Sequence, residues 1–148
     1  MASEQQQGLL LMQHLGKTYR TLQGAFSRQV GHALPRWRIL FALYEQGEMS
    51  QKALAEHCLL DPASLTRLIQ ALQKQGWVER AMDTSDNRLT LATLTAEGRA
   101  VVEAALPRRA MYFSSLLEGL SKEQVALLND MLNRLEQNAT CLGEHGQD

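Results

Sequence analysis

The sequence contains few of the residues on which disulfide-stabilised and membrane proteins depend. Only two of its 148 residues are cysteines, Cys58 and Cys141, and they lie far apart within stretches that we expect to be helical. This pattern is typical of reduced thiols rather than of a disulfide framework, so we expect a cytoplasmic protein. The apolar stretch at residues 8–12 is too short for a signal peptide or a membrane span, and residues 1–7 are expected to form a frayed polar end.

Patterns typical of enzymes and metal sites are also lacking. The sequence has no glycine-rich phosphate loop, no nucleophile elbow and no paired acidic motif. Its histidines, His14, His32, His57 and His145, have no metal-ligand spacing with the cysteines. His57 and Cys58 are neighbours, but adjacent helical residues point about 100° apart, which favours a buried structural cysteine over a shared ion. We therefore expect no catalytic residues, no metal and no cofactor.

The net charge is small but unevenly distributed along the chain. The formal net charge is −1, which is not typical of a nucleic-acid-binding protein. Residues 17–110 nevertheless carry 13 lysines and arginines against 9 acidic residues, whereas residues 111–148 carry 2 against 6. Positive charge is therefore concentrated in the part of the chain that contains the motifs described next. The length of 148 residues predicts one domain, residues 1–148.

Two short helices separated by a tight turn are predicted within residues 50–76. Ser50 is a good N-cap for the first helix, which ends at Cys58. Asp61 is an N-cap for the second helix, and Pro62 follows at the first helical position, where its missing N–H is not needed. The expected apolar side of the first helix comprises Ala53, Leu54 and Cys58. This order of elements predicts a helix-turn-helix.

The second of these helices has two chemically different faces. Its apolar face comprises Leu65, Leu68, Ile69 and Leu72, and its outer face comprises Ala63, Arg67, Gln70 and Lys74, flanked by the short residues Ser64 and Thr66. An arginine can bind guanine with two hydrogen bonds, a glutamine can do the same with adenine, and a lysine can contact phosphate. The outer face therefore fits the major groove of DNA. An ordinary amphipathic surface helix explains this one helix equally well.

A β-hairpin is predicted to follow directly. Its strands span residues 77–81 and 89–94, and the polar segment 82–88 between them is rich in turn-forming residues. A helix-turn-helix followed by a charged hairpin is the order of elements in a winged helix. This order favours DNA binding over an ordinary amphipathic surface helix. Arg80 and Arg88 are then candidate contacts to the DNA backbone or the minor groove.

Two aspartates, Asp83 and Asp86, lie in the tip of the hairpin. They would repel phosphate if they faced it. We therefore expect them to hold the loop, either by turn hydrogen bonds or by pairing with Arg88 or Arg80.

Helices are also predicted on both sides of this winged part. The first has apolar residues at helical spacing and ends at Gly31, and a second starts at Leu34 and ends near Gly47, before a short edge strand at 48–49. The apolar residues of the first helix are Met12, Leu15, Tyr19, Leu22 and Phe26, a seam that fits a helix–helix contact. After the hairpin, Thr95 can cap a long helix in which Pro107 predicts a kink or a break.

The last helix is predicted to start with a capping box formed by Ser121 and Gln124. Its apolar stripe comprises Val125, Leu128, Met131, Leu132 and Leu135. Terminal helices with apolar stripes favour a homodimer, although packing on the chain's own winged helix remains an alternative.

Together, residues 54–98 resemble the multiple antibiotic resistance regulator (MarR) family. The matching segments are Leu54-Ala55-Glu56, Leu65-Thr66-Arg67 with Leu72, Gly76 with Val78-Glu79-Arg80, Asp86-Asn87-Arg88, and Leu94-Thr95 with Gly98. With Leu34, Trp37 and Leu40 upstream, the similarity covers about 65 residues. The resemblance implies a mainly α-helical fold with a small β-hairpin, in which residues 34–98 form the winged helix-turn-helix and residues 5–31 and 95–143 form dimerisation helices.

The resemblance also implies a homodimeric transcription factor, usually a repressor that a small ligand releases from DNA. In the family the arginine matched by Arg88 enters the minor groove, and the aspartate matched by Asp86 braces it. The predicted DNA-binding residues are Ser50, Ala63, Ser64, Thr66, Arg67, Gln70, Lys74, Arg80, Asp86 and Arg88. The predicted partners are double-stranded DNA and a second copy of the chain, contacted through Met12, Leu15, Tyr19, Leu22, Leu128, Leu132 and Leu135.

Family ligands such as phenolic carboxylates sit between the dimerisation helices and the winged helix. By resemblance, the residues that line such a site here are His32, Arg36, Trp37 and Tyr44, for which packing or surface roles are the alternative. The sequence therefore favours a ligand-responsive, DNA-binding repressor acting on a palindromic operator. The competing hypothesis is a winged-helix module that binds protein or RNA instead of duplex DNA.

Overall fold

The computed structural model describes residues 3–144, which form mostly helices and one small sheet. The elements, in order, are α1 (Glu4–Val30), α2 (Leu34–Gln46), β1 (Met49–Ser50), α3 (Gln51–Cys58), α4 (Pro62–Lys74), β2 (Val78–Met82), β3 (Thr90–Leu94), α5 (Ala96–Leu116) and α6 (Lys122–Glu144). The chain divides into two compact units, the first ending at Tyr112 and the second starting at Phe113. The predicted mainly helical class with a small β-hairpin is confirmed.

The first helix begins earlier than the sequence indicated. Ser3 and Gln6 form a capping box, in which the Gln6 backbone N–H donates to Ser3 Oγ and the Ser3 N–H donates to Gln6 Oε1. Since this pairing satisfies two N–H groups at the helix start, the expected fraying is wrong for residues 4–7. Residues 1 and 2 lie outside the described part. The helix ends at Gly31, as predicted, with a left-handed backbone of φ +86°.

The sheet is antiparallel in the order β1-β3-β2. Val78 pairs with Leu94 and Met82 with Thr90, so β2 and β3 form the hairpin, while Met49 pairs with Ala92 and adds the edge strand. All three strands start one residue later than predicted. For β2 the reason is visible at Trp77, whose N–H donates to the Leu72 carbonyl oxygen and so belongs to the turn that closes α4.

The core of the first unit lies where α2, α3, α4 and the sheet meet. Its fully buried members include Ile39, Leu40, Leu43, Leu54, Leu65, Ile69, Leu72, Val78 and Ala92. The expected apolar side of α3 was wrong at one position, because Ala53 is exposed and Ala55 is buried. Around a helix, residues 54, 55 and 58 fall within about 100°, whereas residue 53 lies about 100° outside that arc.

The long helix α5 starts where predicted and continues through its proline. Thr95 Oγ1 accepts from the Gly98 N–H and donates to the Gly76 carbonyl oxygen, so one hydroxyl caps α5 and links it to the connector between α4 and β2. Pro107 lies inside α5, and the predicted break is absent from this helix as described. An exposed proline removes one helical hydrogen bond, and the rest of the helix keeps its own.

The second unit consists of the end of α5, a turn and α6. Ser121 and Gln124 form the predicted capping box, with the Gln124 N–H donating to Ser121 Oγ and the Ser121 N–H to Gln124 Oε1. The stripe on α6 is largely exposed, at 47% for Leu128, 50% for Met131 and 39% for Leu135. Exposed apolar side chains in a row on one helix are typical of a contact surface.

None of the helices within residues 3–144 combines the length and apolarity needed to cross a membrane.

Candidate nucleic-acid interface

The outer face of α4 is presented to solvent. Leu65, Ile69 and Leu72 are fully buried and Leu68 is half-buried, so these residues fix which side of the helix faces the core. The opposite residues Ala63, Arg67, Gln70 and Lys74 are all exposed, and the flanking Ser64 and Thr66 are half-buried. This surface carries a guanidinium, an amide and an ammonium group with no carboxylate among its four exposed members.

A short hydrogen-bond chain organises the start of α4. Asp61 accepts from the Ser64 N–H at 2.8 Å and from the Ser64 hydroxyl, and Arg67 Nη2 donates to Ser64 Oγ at 3.2 Å. These bonds from Ser64 hold the pKa of the Asp61 carboxyl below its usual value, because they stabilise the charged form. Arg67 is therefore held toward the first turn of the helix, the part that enters the major groove in helix-turn-helix proteins.

The tip of the hairpin places one arginine in solvent and braces it. The Arg88 side chain is 90% exposed, and its Nε lies 3.1 Å from Asp86 Oδ1, which also accepts from the Arg88 backbone N–H. Asp83 accepts from the N–H and the hydroxyl of Ser85, and these bonds lower the pKa of its carboxyl. Of the two roles predicted for the tip aspartates, Asp83 therefore forms a turn and Asp86 does both, closing a turn and pairing with Arg88.

Two further predicted contact residues are already engaged within the fold. Arg80 Nε donates to Gln73 Oε1 at 2.8 Å, so Arg80 pairs with the last turn of α4 rather than with an aspartate of the tip. Ser50 Oγ accepts from the Ala53 N–H as the N-cap of α3, and the Ser50 backbone pairs with Leu91 in the sheet. Ser50 therefore acts through its position at the start of a helix.

Three of the four predicted ligand residues, His32, Trp37 and Tyr44, belong to a row of stacked rings that starts just before α2 and continues along it. The fourth, Arg36, is half-buried in the first turn of α2. His32 stacks on Trp37 at a centroid distance of 6.0 Å, Trp37 on Phe41 at 5.7 Å, and Phe41 on Tyr44 at 6.2 Å. His32 also meets the edge of Trp77, the residue that joins α4 to β2. The spacing of positions 37, 41 and 44 could have revealed this row in the sequence.

Arginines from α5 lie against these rings. The Arg109 guanidinium carbon is 4.2 Å from the Phe41 centroid, and that of Arg99 is 4.9 Å from the Tyr44 centroid. Burial, followed by the nearby charges of Arg108 and Arg36, lowers the pKa of His32, which favours its neutral form. Sequence reasoning missed Arg99, Arg108 and Arg109, because the contact between α5 and α2 is not encoded in any local pattern.

The two cysteines differ in environment, and both are free thiols. Cys58 is buried, and burial raises the pKa of its thiol to about 11. It is therefore protonated and a poor nucleophile at neutral pH, in line with a structural role. Cys141 is exposed on α6. Within residues 3–144 there is no group of three His, Cys, Asp or Glu side chains able to hold a metal ion, and His145 lies outside that range.

Comparisons with known proteins identify related sequences. A family model described as MarR family matches residues 33–90. The HTH-type transcriptional regulator YdgJ of Bacillus subtilis is 33% identical over 113 residues, which cover 76% of this chain and 69% of YdgJ. The HTH-type transcriptional repressor IacR of Pseudomonas putida is 29% identical over 109 residues, covering 74% of this chain and 65% of IacR.

Solved structures share the fold. A mutant MarR from E. coli complexed with operator DNA aligns with a TM-score of 0.81 at 20% identity, over 90% of this chain and 99% of that one. NadR in complex with 4-hydroxyphenylacetate aligns with a TM-score of 0.62 at 27% identity, over 91% and 93% of the two chains. The chain is 33% identical to YdgJ over 69% of the length of YdgJ, and the MarR family model matches the winged part of the chain. The chain therefore belongs to the MarR family of transcriptional regulators.

Proposed function

We propose that the chain is a homodimeric, cytoplasmic repressor without catalytic activity, which binds a palindromic DNA operator and is released from it by a small aromatic anion. The observation that carries the DNA-binding part is the exposed face of Arg67, Gln70 and Lys74 on α4, together with the braced, solvent-exposed Arg88 at the wing tip. Repression is supported by relatives such as IacR, whose name describes a transcriptional repressor.

In this proposal α4 and the wing have different tasks. Arg67 and Gln70 contact base edges in the major groove, where each can form paired hydrogen bonds, and Lys74 contacts phosphate. Arg88 enters the adjacent minor groove, where a narrow groove concentrates negative potential. The hydrogen bond that Arg88 Nε donates to Asp86 Oδ1 reduces the number of conformations that Arg88 must give up on binding.

The terminal helices supply the proposed dimer contacts. On α1, Met12 is 72% exposed, Tyr19 46% and Leu15 38%, and on α6 the apolar stripe is exposed at Leu128, Met131 and Leu135. Residues 5–31 and 95–143 then form the dimerisation part of a single domain, and residues 34–98 form the winged part. A twofold axis between two copies of α4 predicts half-sites about one DNA turn, ~34 Å, apart.

The proposed effector is an aromatic carboxylate that binds near His32. Arg36 and Arg108 place positive charge close to His32, while Trp37, Phe41 and Tyr44 provide a stacked apolar surface. This combination suits a ligand with one ring and one anionic group. A similar protein, NadR, has been crystallised with 4-hydroxyphenylacetate, which has both features.

The function is tested with duplexes selected by the protein from a random pool. We expect binding to the selected duplex to weaken steeply with salt, and 4-hydroxyphenylacetate and related aromatic acids to release it at millimolar or lower concentration. Tighter binding to single-stranded or double-stranded RNA of the same sequence, or no selection of any duplex, would favour the protein- or RNA-binding module instead.

A further inference from the structure

Arg80 lies on the inner side of the wing hairpin rather than at its tip. Side chains alternate along β2, so Arg80 shares a face with Val78, which is 1% exposed and packs into the core. Its cross-strand partner is Ala92, which is fully buried and small enough to leave room for the arginine stem. This placement directs Arg80 toward the helices, in contrast to the 90% exposed Arg88.

The guanidinium group of Arg80 is hydrogen-bonded to α4. Arg80 Nε donates to Gln73 Oε1 at 2.8 Å, and Gln73 lies in the last turn of α4, whereas Arg80 is the third residue of β2. Only residues 75–77 connect the two elements. The bond therefore links α4 to the wing across this short connector, between the exposed Gln73 and the half-buried Arg80.

The other bonds at this corner hold the main chain of the connector. Thr95 Oγ1 donates to the Gly76 carbonyl oxygen, and the Thr95 N–H donates to the Trp77 carbonyl oxygen. The bond between Gln73 and Arg80 joins side chains further along both elements. It therefore adds a restraint on the angle between the helix and the strand to the restraints that hold the connector.

We propose that Arg80 is a positioning residue for DNA recognition, which acts through Gln73 to set the angle between α4 and the wing, and that it does not itself contact phosphate. This inference rests on the proposed function, because a fixed angle matters only if α4 and Arg88 engage the same duplex. With the angle set before binding, both elements reach their grooves together, and selectivity for the operator over other DNA increases. Without it, either element still binds DNA nonspecifically.

The test compares operator and random duplex binding across a salt series for Gln73→Met, Arg80→Met and the double variant. Gln73→Met keeps an uncharged side chain of similar length and removes the Oε1 atom that accepts from Arg80. We expect each single variant to lower the preference for operator about five- to tenfold, and the double variant to lower it no further, since both remove one interaction. The slope of log binding constant against log salt stays that of the parent protein in all three.

Two further variants separate positioning from a general structural effect. Gln73→Glu retains an acceptor for Arg80 Nε. Unlike Gln73→Met, it should therefore keep the operator preference of the parent protein, while its added negative charge weakens binding to both duplexes alike. Gln75→Met is the matched control, because Gln75 is also an exposed glutamine but forms no side-chain hydrogen bond within the described residues. It should behave as the parent protein.

An unchanged operator preference in Gln73→Met would overturn the proposal, and so would additive losses in the double variant. It is also overturned if the salt slope of Arg80→Met falls by about 0.9, the value expected for one lost phosphate contact. The parent protein provides the separate check on the proposed function. If the parent does not prefer its selected duplex, the proposed function fails, whereas a selective parent with unaffected variants contradicts only the role of Arg80.

Discussion

Gly98 occupies a position where the backbone of α5 passes close to the end of α4. A Cβ atom at residue 98 would lie 2.1 Å from the Trp77 carbonyl oxygen and 3.0 Å from Leu94 Cδ2. The obstacle is backbone, and the Trp77 oxygen is held in place by the Thr95 N–H. A glycine is therefore required here for close approach rather than for an unusual backbone angle.

We expect Gly98→Ala to destabilise the protein by at least about 2 kcal/mol, because the clash forces α5 away from the residue that closes α4. Gly8→Ala is the control, since an added Cβ there meets no other described atom within 4 Å and alanine favours a helix. The measurement is urea unfolding followed by circular dichroism. An equal free energy of unfolding for both variants would show that the helix moves aside without penalty.

His32 predicts a pH dependence of stability. Burial and the nearby Arg108 and Arg36 lower its pKa in the folded state, so the unfolded chain binds a proton more readily. His32 therefore destabilises the fold as pH falls through the ordinary histidine range near 6.5, down to its lower folded value, and this penalty is absent above that range.

We expect His32→Phe, which keeps an aromatic ring against Trp37, to be less sensitive to pH than the parent between pH 7 and pH 5. The measurement is the free energy of unfolding at several pH values, with His14→Phe, an exposed position on α1, as the control. A parallel decline in the parent and in His32→Phe would exclude His32 as the source of the effect.

The roles of residues that bond to near neighbours in the chain can be predicted from the sequence, whereas contacts between different elements cannot. Ser50, Asp61, Thr95 and Ser121 were recognised as caps because a cap bonds to an N–H only two or three residues away. The partner of Arg80 and the arginines over the α2 rings depend on which elements pack together. No spacing rule along one helix or strand provides that information.

At the scale of elements, boundaries marked by caps and glycines were predicted well, and strand ends were less so. The α4 helix has both an N-cap at Asp61 and a left-handed Gly76 after its end, which fixed both limits. The strands start one residue late, because their first residue depends on hydrogen bonds across the sheet. Of the kink or break predicted at Pro107, the break is wrong, since α5 runs continuously from Ala96 to Leu116 with the exposed proline inside it.

We expect Pro107→Ala to stabilise the protein by about 1–3 kcal/mol, because alanine restores the N–H donor to the carbonyl of residue 103 and raises helix propensity at an exposed site. The midpoint of thermal unfolding should rise accordingly. A lower midpoint would mean that α5 needs the local distortion of the proline for its packing.

In the whole molecule, α1 and α6 each expose apolar residues, which we expect a second copy of the chain to cover. We expect Leu128→Glu to convert a dimer into a monomer, because a carboxylate buried at an apolar interface lacks a partner. Asn129→Glu adds the same charge at the next, polar position as a control. Sedimentation equilibrium distinguishes the two, and a dimeric Leu128→Glu would place the subunit contact elsewhere.

Positive and negative charges are also separated along the whole chain. The overall charge of −1 conceals a basic region at residues 17–110 and an acidic one at residues 111–148, so composition alone would have argued against a nucleic-acid partner. The winged part could be predicted because its motifs are local and ordered along the chain. The effector and the operator sequence depend on shape at sites assembled from several elements.

In the proposed binding mode, α4 reads base edges, while Arg88 of the wing enters the minor groove and contributes affinity that depends little on sequence. The most direct test measures the affinity of Arg67→Ala, Gln70→Ala and Arg88→Ala for the selected operator and for random duplex. We expect Arg67→Ala and Gln70→Ala to reduce operator binding by about 1–3 kcal/mol each with little effect on random DNA, and Arg88→Ala to weaken both alike. Lys122→Ala, which removes a charge at the start of α6, should change neither. Equal losses on both duplexes for all three variants, or no loss in any of them, would contradict the account.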